Sequence, residues 1–85
     1  MINPLWLDQL ISTMLKIKTK GEMLDFLRGI LTPKELEQLP TRLQIIKKLK
    51  SGANQQNIAK SLGVGIATVT RGSRELKLGR FQNIS

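Results

Sequence analysis

Six side chains near the carboxyl end carry the chemistry that this sequence can do: Gln55, Gln56, Thr68, Thr70, Arg71 and Arg74. Amides and hydroxyls both donate and accept, which suits the edges of bases. Guanidiniums donate in a fixed fork that fits phosphate or carboxylate. Lys60 adds a point charge among them. Catalysis has less to work with. His, Cys and Tyr are absent, which removes the commonest general base, the thiolate nucleophile and the usual nitrogen and sulfur metal ligands. Binding, rather than catalysis, is the expected activity.

Two short helices would hold these groups. Asn54 can accept from the free N–H groups at the start of the first, as its N-cap. That helix runs from Gln55 to about Leu62, with Ile58 and Leu62 on one side at i, i+4. Gly63 supplies the positive φ that a sharp corner needs, and Val64 is expected to pack inward. Gly65–Ile66 opens the second helix, which runs to Lys77. Ile66, Val69, Ser73 and Leu76 form its stripe at i, i+3, i+7, i+10. Ala59 is small enough for the helices to cross closely. Gly63 turns the corner four residues on, and Val69 closes the wedge six residues after that. Those sizes at those offsets are the skeleton of a helix-turn-helix. Ala67, Thr68, Thr70, Arg71 and Arg74 then face outward. Short side chains near the helix N-terminus and basic ones further along suit a helix whose first turn meets base edges while its flanks hold phosphates. A plain helical hairpin would show the same stripe and corner, but it would not need the same charge.

That charge is unevenly placed. The formal net charge is +8. Residues 1–40 balance Lys16, Lys18, Lys20, Arg28 and Lys34 against Asp8, Glu22, Asp25, Glu35 and Glu37. Residues 41–85 hold Arg42, Lys47, Lys48, Lys50, Lys60, Arg71, Arg74, Lys77 and Arg80 against Glu75 alone. The whole excess therefore sits with the two-helix segment, the footprint of a polyanion binder. A chain of 85 residues makes one domain with a marginal core, which oligomerisation can enlarge. The first helix is too short and too charged to span a membrane, and nothing reads as a signal peptide. The lack of Cys fits a cytoplasmic protein.

Residues 1–52 read as core and dimerisation helices, 54–77 as the helix-turn-helix, and 78–85 as a short tail in which Arg80 extends the basic surface. Asn3 caps a helix with Pro4 at its first position, running to about Lys18. Its Leu7, Leu10, Ile11, Met14, Leu15 and Ile17 cover more than one stripe, so it needs two partners, one of which can be another chain. Thr19 and Glu22 form a capping box before a second helix that ends near Gly29. Thr32 and Glu35, with Pro33 between them, form another before the third. There Leu36, Leu39, Leu43 and Ile46 make a stripe that Ile45 and Leu49 widen. Pro40 inside it predicts a kink or a break near Leu39. Gly52 ends the helix. The fold class is all-α.

From Leu31 to Lys77 the sequence resembles the tryptophan repressor family. LTPKELEQL, the Thr41–Arg42 pair and above all GIATVTRGS at Gly65–Ser73 carry the likeness. It implies a Trp-repressor-like helical bundle, an intertwined homodimer whose two helix-turn-helix units enter successive major grooves of a palindromic operator in double-stranded DNA. It implies DNA contacts from Gln55, Gln56, Ile66, Ala67, Thr68 and Thr70, while charge adds Lys60 and Arg74. Ile66 serves two readings, core by periodicity and thymine-methyl contact by resemblance. The resemblance further implies L-tryptophan as corepressor, an amino-acid effector held by Arg42 and Arg71 with Thr32 and Gly72 nearby. Glu75 stands where the family has a serine, and a carboxylate there can accept from an ammonium. Gly29 replaces a leucine and Pro40 a glycine, and the sequence ends where the family's continues into a final helix.

The leading expectation is a dimeric, sequence-specific transcriptional repressor and not an enzyme. An effector-independent helix-turn-helix protein is a second reading. A protein-interaction adaptor using the apolar first helix is a third. RNA binding fits less well, since two Phe and one Trp leave few rings for stacking bases.

Overall fold

Helices start where the sequence offers a cap. In the computed structural model, which describes residues Met1–Ser85, α1 spans Pro4–Lys16, α2 Lys20–Ile30, α3 Pro33–Lys50, α4 Gln55–Leu62 and α5 Ile66–Lys77. There are no strands. Asn3 Oδ1 accepts from the Leu5 and Trp6 amides at 3.0 and 3.1 Å, and Thr19 Oγ1 from the Glu22 amide at 3.1 Å. Asn54 Oδ1 accepts from the Asn57 amide at 3.1 Å. At α3 the box is reciprocal. Thr32 Oγ1 accepts from the Glu35 amide at 3.2 Å, and Glu35 Oε1 accepts from the Thr32 amide at 2.9 Å.

Those bonds, the one from the Thr32 backbone first, hold the Glu35 carboxyl below its ordinary value of 4.5. A carboxyl depressed on folding stabilises above its unfolded value, and the contribution disappears as the pH falls through the folded one. Acidification from neutral pH to below 4.5 is therefore expected to loosen the start of α3, and Glu35→Gln to remove that sensitivity. Amide exchange at the Thr32 N–H, which donates to the Glu35 carboxylate, reads this directly once corrected for intrinsic rates. The same acid response in both proteins would refute it.

Two compact units divide the chain, Met1–Leu36 and Glu37–Ser85. The first holds α1 and α2 and has no buried side chain. Leu5, Trp6, Leu7, Leu10, Ile11 and Leu15 of α1 are all exposed, Trp6 by 70%. α1 ends at Lys16 and not Lys18, closed by the Ile17 amide donating to the Met14 carbonyl at 3.2 Å. α2 runs one residue past Gly29, to Ile30.

A kink or a break is expected near Leu39, and α3 has no break there, continuing through Pro40 to Lys50. One proline removes one amide donor, and the long run on either side keeps the rest. Beside it the Thr41 hydroxyl donates to the Glu37 carbonyl at 3.2 Å. The helix buries Ile45 and Ile46, while Leu39 and Leu43 of the expected stripe are each 41% exposed. Ile45, Ile58 and Val69 form the core of the second unit, at 1%, 1% and 0% exposure. Leu49, Ala59, Leu62 and the inward-packed Val64 close around them. Ile66 does not join them. It is 48% exposed, at the first position of α5 beyond the corner.

The corner depends on Gly63, whose φ is 67°. The Val64 amide reaches back to the Ala59 carbonyl at 3.0 Å, satisfying an end-of-helix acceptor. An added Cβ would meet nothing within 4 Å, so any penalty lies in the backbone alone. Gly63→Ala is expected to cost about 1–2 kcal/mol. It should appear as a lower melting temperature with native helix content, and an unchanged melt would show that the corner is not left-handed in solution. No helix is long and apolar enough to cross a membrane.

Candidate nucleic-acid interface and an adjoining cavity

Burying Val69 fixes the roll of α5 and so decides which residues it presents. Ala67, Thr68, Thr70, Arg71 and Arg74 are all exposed, as the spacing requires. Gln56 and Lys60 are exposed on α4, and Gln55, the first residue of α4, is half-buried. Gln55 is tied to the second helix: the Thr70 hydroxyl donates to Gln55 Oε1 at 2.8 Å. That bond leaves the Gln55 amide protons and the Thr70 oxygen lone pairs free, so the pair presents two donors and an acceptor in fixed relation. Ile66 adds an exposed branched side chain at the front of the same helix. The N-terminus of α5 has no side-chain cap, because Gly65 supplies none, and the Thr68 amide instead donates to the Gly65 carbonyl at 3.1 Å.

A cavity of about 400 Å³ lies beside this face. Its apolar floor is Ile45, Ile46 and Gly72, its cations are Arg42 and Arg71, and Ala67 and Thr68 form its edge. Gly72 brings α5 onto α3, since a Cβ there would stand 3.2 Å from Ile46 Cδ1 and 3.3 Å from Ile45 Cγ2. Glu75 and Phe81 complete the lining. Of the residues that the resemblance offers as ligand contacts, Arg42, Arg71 and Gly72 thus share one cavity, and Glu75, the departure from the family, lines it too. Thr32 belongs to the other unit, where its hydroxyl and amide serve the capping box of α3.

Sequence reasoning missed Phe81 and the carboxylate partner of Arg80. Leu78–Ser85 is not a plain tail. Gly79 turns at φ 96°, and the Arg80 amide donates to the Glu75 carbonyl at 3.1 Å. The Lys50 ammonium then donates to the carbonyls of Phe81 at 2.6 Å, Gln82 at 3.5 Å and Ile84. Arg80 does not simply extend the basic surface, because its Nε lies 2.8 Å from Glu75 Oε2. A glycine two residues before an aromatic, just past a helix end, was the one local signal for this turn.

Much of the sequence matches known proteins. It is 52% identical over 50 residues to the Trp operon repressor homolog of Vibrio vulnificus, covering 58% of this chain and 49% of that protein. Against the Trp operon repressor homolog of Photobacterium profundum it is 50% identical over 52 residues, 60% of this chain and 50% of that one. Against that of Aliivibrio fischeri it is 39% identical over 71 residues, 82% of this chain and 66% of that one. The chain spans about half the length of the first of these relatives. The model of the Trp repressor protein family matches residues 6–83, nearly all of an all-helical chain. That is a family of transcription regulators and not of enzymes. On this match and this helical order, the chain belongs to the Trp repressor family.

Proposed function

We propose that this chain is a sequence-specific transcriptional repressor that works as a homodimer on double-stranded DNA. α4 and α5 are its helix-turn-helix, and residues 54–77 form the reading unit. Gln55, Gln56, Ile66, Ala67, Thr68 and Thr70 face the bases and nearby backbone, with Lys60 and Arg74 on phosphates. The exposed, donor-rich face of α5, rolled outward by a fully buried Val69, carries the proposal. The bare apolar surface of α1 supports a dimer in which residues 1–52 supply the interface, the two chains intertwined.

The cavity is the effector site in this reading. Arg42 and Arg71 take a carboxylate, the isoleucine floor takes a ring, and L-tryptophan is the first candidate, as the relatives' name suggests. Ala67 and Thr68 belong both to the cavity edge and to the reading face, so a ligand seated there touches the element that meets DNA. A ligand that binds only the DNA-competent arrangement raises affinity by shifting that population.

Selection from a random duplex pool tests the proposal. It should return a near-palindrome whose half-sites lie about one helical turn apart. Thr68→Ala combined with Thr70→Ala should lower the preference for that site over random DNA by roughly tenfold or more. Enrichment of no common site would reject sequence-specific repression. A monomer in sedimentation with no DNA affinity would favour the adaptor role instead.

A further inference from the structure

The turn after α5 does more than end the chain's last helix. It lays Phe81 into the cavity lining and is held there by two cations. Lys50 gathers the carbonyls of Phe81, Gln82 and Ile84. Arg80 Nε pairs with Glu75 Oε2 at 2.8 Å, and that buried oxygen has no other partner. Phe81 itself is the one non-glycine residue at positive φ, 65°. A phenylalanine stays in that region only where its surroundings impose it, and such residues gather at clamps and switches.

Glu75 is the cavity's single carboxylate, and Arg42 and Arg71 are its guanidiniums. A carboxylate, two guanidiniums, an apolar floor and an aromatic ring together make recognition chemistry for an aromatic α-amino acid. Yet one oxygen of that carboxylate, Oε2, already pairs with Arg80. We propose that the Leu78–Ile84 turn is an autoinhibitory clasp, in which Arg80 occupies the carboxylate that a ligand's ammonium needs. An aromatic amino acid then enters only by displacing Arg80, and Phe81 moves with it. This rests on the reading of the cavity as an effector site. The observed affinity is the intrinsic one reduced by the fraction of molecules whose clasp is open. The Arg80 side chain is 64% exposed, and exposed ion pairs are weak, so the clasp is poised and not locked.

Calorimetric titration of L-tryptophan and of indolepropionate, which keeps the ring and carboxylate but lacks the ammonium, separates the possibilities. Arg80→Gln should tighten tryptophan about two- to fivefold and leave indolepropionate unchanged. Arg80→Lys, which keeps the pair, should behave as wild type, and Glu75→Gln should erase the gain when added to Arg80→Gln. If both ligands bind but Arg80→Gln takes tryptophan no more tightly than wild type, the clasp is overturned and the effector site stands. If neither ligand binds any of these proteins, folded by circular dichroism, the effector site falls and the clasp with it.

Discussion

Ile58→Ala is expected to leave the Glu37–Ser85 unit largely unfolded at ordinary temperature. Only three of its side chains, Ile45, Ile58 and Val69, are at or below 1% exposure. Truncating a buried isoleucine to alanine removes its transfer energy and leaves a cavity, together about 2–5 kcal/mol. A folded unit of this size holds only a few kcal/mol, at roughly 0.05–0.15 kcal/mol per residue. The loss is therefore comparable with the whole, unless dimerisation adds buried area. Ile66→Ala is the matched control. It carries the same chemical change at 48% exposure and should move the melt little, within about 0.5 kcal/mol. Circular dichroism melts of the two variants at equal concentration decide it. Equal destabilisation would mean that Ile66 is packed in solution and that the roll of α5 described above is wrong.

The contrast between Ile58 and Ile66 also shows how far the sequence was legible. Everything set by neighbours within a turn could be read from it. Asn3, Thr19, Thr32 and Asn54 cap because their side chains reach amides two or three residues on. Gly63 turns because its own backbone is unconstrained. Helical period alone could not tell Ile66 from Val69, three residues apart on one stripe. Only the position of α4 decides that one faces the core and the other faces water. Leu39 and Leu43 raise the same difficulty, since their stripe continues past the part of α3 that the core covers. The residue types that line the cavity were visible as a constellation in Arg42, Arg71, Gly72 and Glu75. Phe81 was not, because its place depends on Lys50, thirty-one positions away, holding the turn by its carbonyls. Pro40 left a kink and a break both open because local rules count the lost donor but not the intact helix on both sides.

Salt is expected to weaken operator binding far more than any single substitution on the reading face. Each phosphate neutralised by Lys or Arg releases condensed counterions, so the logarithm of affinity falls with that of salt at about 0.9 per contact. Lys60 and Arg74 are exposed on the proposed reading face, which gives about four contacts in a dimer. Raising monovalent salt from about 50 to 200 mM should then lower affinity roughly a hundredfold. Lys60→Gln or Arg74→Gln, present in both protomers, should each flatten the slope by about 2. Thr68→Ala with Thr70→Ala should leave the slope alone and reduce only the preference for one sequence, because neutral hydroxyls release no ions. Arg80→Gln should change the slope little, since Glu75 already balances that guanidinium. Anisotropy titrations across four salt concentrations measure all of these slopes. A slope near zero, or one that falls with the threonines and not with the basic residues, would place the DNA on some other face of the molecule.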